Sequence, residues 1–222
     1  MRMEVSKDKP TVNKIIEAAT RLFAVKGYAA VSVKELADAA GVNIALISYY
    51  FGGKESLYKL VLERQFDPVD SRLSELEEAE KSPLEKIREF AKIIAQCCID
   101  NASGDRLFLS EVINPTACFD LVVRTRVTRL HSFLRDCIKQ AIELGQFRAG
   151  LDPDYTAQAL GNIIRFHLAA RHFAKDLLPD RENQAEYYAN HALDIFLFGV
   201  MAPAASESSN LEPFSKSTAC SV

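Results

Sequence analysis

The sequence predicts an all-α protein: an N-terminal three-helix domain of helix-turn-helix type, then a larger helical domain. Three observations predict it. Apolar residues recur three and four apart along most of the chain, and no stretch alternates with period two. Helix start signals stand where those runs begin, with Ser32 three residues before Glu35 and Ser82 three before Glu85. Helix stop signals stand where they end, at Gly27, Gly41 and Gly145 and at Asn114-Pro115.

Taken in order, residues 1–9 are polar, with Arg2, Lys7 and Lys9 available for phosphates. Thr11 to Lys26 places Ile15, Ile16, Ala19, Leu22 and Phe23 on one helical stripe, which Gly27 stops and Tyr28 covers. Ser32–Ala40 reads as a short helix with a capping box, turned inward at Leu36 and Ala37 and closed by Gly41. Asn43 then caps a helix reaching Phe51. Ile47 and Phe51 lie four apart on its buried side, while Ala45, Leu46, Ser48, Tyr49 and Tyr50 remain outside. A helix of two turns is not stable alone, so its neighbours must hold it for what its outer face touches. A fourth helix begins near Lys54 and carries Leu57, Leu60, Val61 and Leu62 toward Phe66.

Beyond Phe66 the residues to 81 continue as a charged helix. Ser82-Pro83-Leu84-Glu85 starts the next, with Ile87, Phe90, Ala91, Ile94 and Cys98 inward, to about Asn101. Residues 103–105 read as a loop, and Arg106 to Ile113 as a short helix. A long helix is expected from Ala117 to Leu144, another from Asp152-Pro153 to Leu177, and a last one from Asn183 to Val200. The domains are therefore placed at 1–66 and 67–201, with residues 202–222 as a disordered tail of small polar residues.

The net charge of -3 hides an asymmetry. Residues 1–66 hold ten Lys and Arg against seven Asp and Glu, and the rest holds seventeen against twenty-three, giving a basic head on an acidic body. No apolar run approaches a membrane span, and the start has no apolar signal core, so a cytoplasmic protein is expected. The five cysteines (Cys97, Cys98, Cys118, Cys137 and Cys220) and four histidines lack metal-ligand spacing, so no metal or cofactor is expected. Buried reduced thiols are one reading of the cysteines and a redox sensor the other. The chain carries no nucleophile motif or Gly-rich phosphate loop, which argues against an enzyme.

Residues 11–58, with IIEAATRLFAVKGYAAVSVKELADAAGV, then YYF, then GKESLY, resemble the DNA-binding domain of TetR-family bacterial transcriptional regulators. SEVINPTACFDLVV resembles the effector domain of CecR-like members. The resemblance implies that Asn43, Ala45, Leu46, Ser48, Tyr49 and Tyr50 face the major groove, whose base edges carry a distinct donor and acceptor code. Ser32, Lys34 and Lys54 would take phosphates. Asn43 and Ser48 depart from the residues often found there, which bears on the operator read.

Such a regulator is expected to be a homodimer on double-stranded operator DNA, a repressor released by an unidentified small-molecule effector; an activator or ligand-independent regulator is the alternative. The dimer face is expected on the last two helices, at Leu160, Ile164, Leu168, Tyr188, Ile195 and Phe196. The effector pocket is expected among the middle helices, with Phe90, Cys97, Phe108, Phe119, Phe133, Phe166 and Phe173 as candidate lining.

Overall fold

The computed structural model describes residues 9–169, 177–179 and 181–202, without the side chains at 166–169 and 185. Among these residues it holds nine α-helices and no strand. The first is α1 (Lys9–Ala30), broken at Gly27, whose φ of 77° only glycine adopts cheaply. Ile15, Ile16, Ala18, Ala19 and Phe23 form its buried stripe. α2 (Val33–Ala40) starts on Ser32, whose hydroxyl accepts the Glu35 N–H at 3.1 Å. Of the expected capping box the Ser32 hydroxyl bond is formed, and the Glu35 carboxylate pairs with Lys26. The Lys26 hydrogen bond and charge hold that carboxyl below the usual range. Gly41, in the left-handed region, closes α2 and sends its N–H back to the helix. α3 (Ala45–Phe51) follows at once.

α4 (Lys54–Glu78) is continuous from the head into the body, through Phe66 and Pro68. Phe66 belongs to the head core and Val69, three residues on, to the body core. Pro68 has no N–H to give the helix ladder between them. α5 (Pro83–Asp100) carries a complete capping box between Ser82 and Glu85. All five of its expected inward residues are buried.

α6 (Ala102–Ile113) corrects the expected loop at 103–105. Asn101 caps it by accepting the Gly104 N–H at 2.9 Å while donating to Gln65 of α4 at 2.9 Å. A Cβ at Gly104 would stand 2.6 Å from Asn101 Nδ2, so this glycine serves a close approach rather than a turn. The expected single helix from Ala117 to Leu144 is also corrected. Phe119–Arg124 is a π-helical turn, and α7 (Thr125–Glu143) runs on from it. The widened turn accompanies two consecutive valines, Val122 and Val123, both fully buried in the head core.

α8 (Pro153–Ala169) and α9 (Gln184–Val200) complete the body. The expected extension of α8 to Leu177 leaves the described residues after Ala169, as does the tail from residue 203. A single antiparallel pairing, Phe147 with Met201, ties the end of α9 to the α7–α8 connection. α7 is strapped to α4 by Arg126 and Arg129. Arg126 Nε stands 3.2 Å from Asp70, and Arg129 reaches Glu77 at 2.6 Å and Ser74 at 2.9 Å.

Two cores result. The body core draws on α4, α5, α7, α8 and α9. The head core contains α1 to α4 but also Leu107, Cys118, Val122 and Val123, all within 1% of complete burial. α6 and the π turn therefore form one wall of the head.

Candidate nucleic-acid interface

The outer face of the helix-turn-helix is set by what lies beneath α3. Ile47 is fully buried in the head core and Phe51 half-buried against it. One hundred degrees per residue then turns Ala45, Ser48 and Tyr49 outward. All three are exposed, Tyr49 at 67%. Leu46 and Tyr50 sit on the flanks, half-buried and packed on the head core. The face is thus narrower than the six positions expected from sequence. Asn43 is exposed and its Oδ1 accepts the Ala45 N–H at 2.9 Å, which steadies the first turn of α3. Tyr49 and Tyr50 meet edge to face with ring centroids 5.0 Å apart, so the outer ring leans on the flank ring.

Lys34 is exposed on α2, and Ser32 is exposed beside it with its hydroxyl engaged as the cap. Lys54 is half-buried, its ammonium 4.3 Å from the centroid of Tyr28. Tyr28 lies 4.7 Å from Tyr58, which is 4.8 Å from Phe23. This aromatic stack carries the Lys54 ammonium at the start of α4, beside the α3 face.

Tyr58 also joins the head to the body, a link the sequence reading did not find. Its hydroxyl donates to Glu111 Oε1 at 2.7 Å. Glu111 is completely buried, and it also accepts the Thr116 N–H at 3.2 Å and hydroxyl at 3.0 Å. Burial, then the bond to Glu111, pushes the Tyr58 phenol far above its ordinary value, so it stays a donor. The available signal was a lone glutamate among Leu107, Phe108, Leu109, Val112 and Ile113.

In the body, a cavity of about 520 Å³ opens between α5, α6, α7 and α8. Phe90 and Phe108 of the expected set line it, and Cys97 lines a smaller adjoining void of about 40 Å³. Phe133 is not among the cavity's lining residues and stacks on Phe90 at 5.8 Å, and Phe119 packs toward the head core. The Phe166 side chain and Phe173 lie outside the described residues. Burial raises the thiols of Cys97, Cys98, Cys118 and Cys137, Cys98 to about 12 and Cys137 to about 11, which opposes thiolate reactivity. No group of three or more metal-ligating side chains forms among the described residues.

Of the residues expected at a dimer face, Leu160, Ile164 and Phe196 are buried in the chain's own body core, and this corrects their placement. They recur on the inward stripes of α8 and α9, which sequence periodicity alone cannot tell from outward ones. Tyr188 is half-buried, and the Leu168 side chain is outside the described residues. Ile195 is outward at 62% exposure, and Phe198, Tyr187 and Ile163 join it on the outer faces of the same two helices.

A small exposed helix mounted on a three-helix core, with a cavity-bearing helical body behind it, defines a helix-turn-helix DNA-binding regulator. The comparisons agree. Residues 15–61 match the family described as "Bacterial regulatory proteins, tetR family". The dual regulator CecR of Shigella flexneri is 30% identical over 177 residues, which cover 73% of this chain and 78% of that protein. The repressor DhaR of Mycobacterium sp. (strain GP1) is 28% identical, covering 78% of this chain and 96% of that one. The ketosteroid transcriptional regulator KstR2 of Mycobacterium tuberculosis has a similar fold, with a TM-score of 0.70 at 19% identity over 90% of this chain and 98% of that one. The chain belongs to the TetR family and is a helix-turn-helix transcriptional regulator.

Proposed function

We propose that this regulator is a homodimeric repressor that reads a roughly palindromic operator with α3 of each protomer and is released by a small molecule bound in the body. The observation that carries the reading is the outward face of α3, where Ala45, Ser48 and Tyr49 stand exposed above a buried Ile47. A face this small spans a few base pairs, so two copies related by a two-fold axis supply the specificity. Lys34 and Lys54 flank it with positive charge, and Ser32 heads α2, an arrangement suited to phosphates on either side of the groove.

The release half of the reading rests on the body cavity and on the contacts between body and head. α6 lines the cavity with Phe108, Leu109 and Val112. The same helix sends Leu107 into the head core and Glu111 to Tyr58. A ligand that favours one position of α6 biases the position of the head, provided it binds the two arrangements with different affinity. Repression is favoured over activation by the resemblance to repressors such as DhaR.

The test is selection of bound DNA from a random library, followed by titration of the selected site against salt. A palindromic consensus and a steep loss of affinity with rising salt are expected. Equal affinity for random DNA at physiological salt would overturn the reading.

A further inference from the structure

We propose that the body cavity takes a medium-chain carboxylate, with the hydrocarbon among the α5–α8 side chains and the carboxylate on Arg165. This deepens the proposed function and rests on its reading that the body holds a ligand. The cavity, at about 520 Å³, falls within the range of small-molecule sites, roughly 300–1,000 Å³. Its walls are Phe90, Phe108, Val112, Leu130 and Leu134, which suit a hydrocarbon chain. No Asp or Glu is among the described lining residues, and Arg165 and His131 are the ionisable ones.

Arg165 is held in place yet under-used. Its guanidinium lies 4.1 Å from the Phe108 ring centroid, a cation–π contact that helps hold it in place. Among the described residues its carboxylate partner is Asp105, an ion pair at 3.9 Å from Nη1 that is too long for a hydrogen bond. The side chain is only 22% exposed, so water cannot fully replace a partner. A planar fork of donors beside an apolar chamber matches a carboxylate, which accepts two parallel N–H bonds. Asp105 does not favour a cationic ligand instead. It lines the adjoining 40 Å³ void rather than the cavity, and it is 8% exposed. At the α8 side, Gln158 donates to Asn162 at 2.9 Å, so these amides form a neutral polar rim with no competing charge.

The test is calorimetric titration of the full-length protein with decanoate, decanol and decyltrimethylammonium, which share one chain and differ in head charge. Decanoate is expected to bind at least about tenfold more tightly than either of the others, the scale of one charge-assisted hydrogen bond. The Arg165→Gln variant is expected to lose that preference while keeping its decanol affinity. Equal binding of decanoate and decanol by the unmodified protein, or a preference that survives in R165Q, overturns the proposal. So does failure of decanoate to bind at all. The comparison among the three ligands needs no variant, so misfolding of R165Q leaves the proposal testable. Operator retention measured in the same samples separates the two readings. Decanoate that binds without loosening DNA supports this ligand class and overturns ligand release.

Discussion

In the proposed reading of the operator, Tyr49 is the side chain on which contact most depends. Its ring is two-thirds exposed and leans on Tyr50, while the burial that holds α3 comes from Ile47. Tyr49→Ala is therefore expected to weaken operator binding by at least about tenfold while leaving helicity and thermal midpoint unchanged, read by mobility shift and circular dichroism. A fall in helicity would mean that the ring supports the head. Glu111 makes the opposite case. It is invisible from outside yet satisfies the Tyr58 hydroxyl and both Thr116 donors. Glu111→Leu leaves these groups without their acceptor inside the protein, at a cost of about 1–3 kcal/mol, seen as a lower urea midpoint. Only one of the two was legible in the sequence. Tyr49 was, because helical periodicity turns it outward. Tyr58 and Glu111 were not, because they lie 53 positions apart and only the folded chain brings them together.

At the scale of the helices, the boundaries expected from sequence match the structure where the boundary residue makes the cap locally, Ser32 and Ser82 through the hydroxyl and Gly41 through its backbone N–H. These bonds span three or four residues, and α2 and α5 begin or end where the three residues predict. Reading failed where the cap serves a distant contact. Asn101 starts α6 earlier than expected because the same amide also bridges to Gln65, and Gly104 looked like a loop residue because its packing role lies across the fold. Gly104→Ala must push the Asn101 side chain aside, breaking both bonds. A loss of about 1–3 kcal/mol is expected in chemical denaturation. An Asn101→Ala change that costs as much, with no further loss in the double variant, would trace the cost to this contact. The π turn at 119–124 was equally hidden, since an apolar run such as Leu121-Val122-Val123 continues an α-helical pattern without marking the extra residue.

For the molecule as a whole, the class of fold was legible because periodicity and the absence of alternation are properties of the entire chain. The assignment of faces was less so. On α8 and α9 both stripes are apolar, and Leu160, Ile164 and Phe196 could be told from Ile163, Ile195 and Phe198 only after packing chose an inside. The outward set gives a prediction at this scale. If two protomers pair through these helices, the Ile195→Glu, Phe198→Glu double variant shifts sedimentation from dimer to monomer and lowers operator affinity steeply, because one head alone reads too few base pairs. A dimer that withstands both charges would place the pairing surface elsewhere.

The wall that α6 and the π turn lend to the head has a practical consequence for anyone who would transplant it. Cutting the chain after Phe66 strips Leu107, Cys118, Val122 and Val123 from the first core and leaves Tyr58 without Glu111. The excised piece would present a raw apolar flank to water and tend to associate through it. A chimera joining this reader to a foreign sensor must carry residues 102–124 along with it, or recruit a donor that supplies matching bulk. The unit of exchange is larger than the stretch that touches DNA.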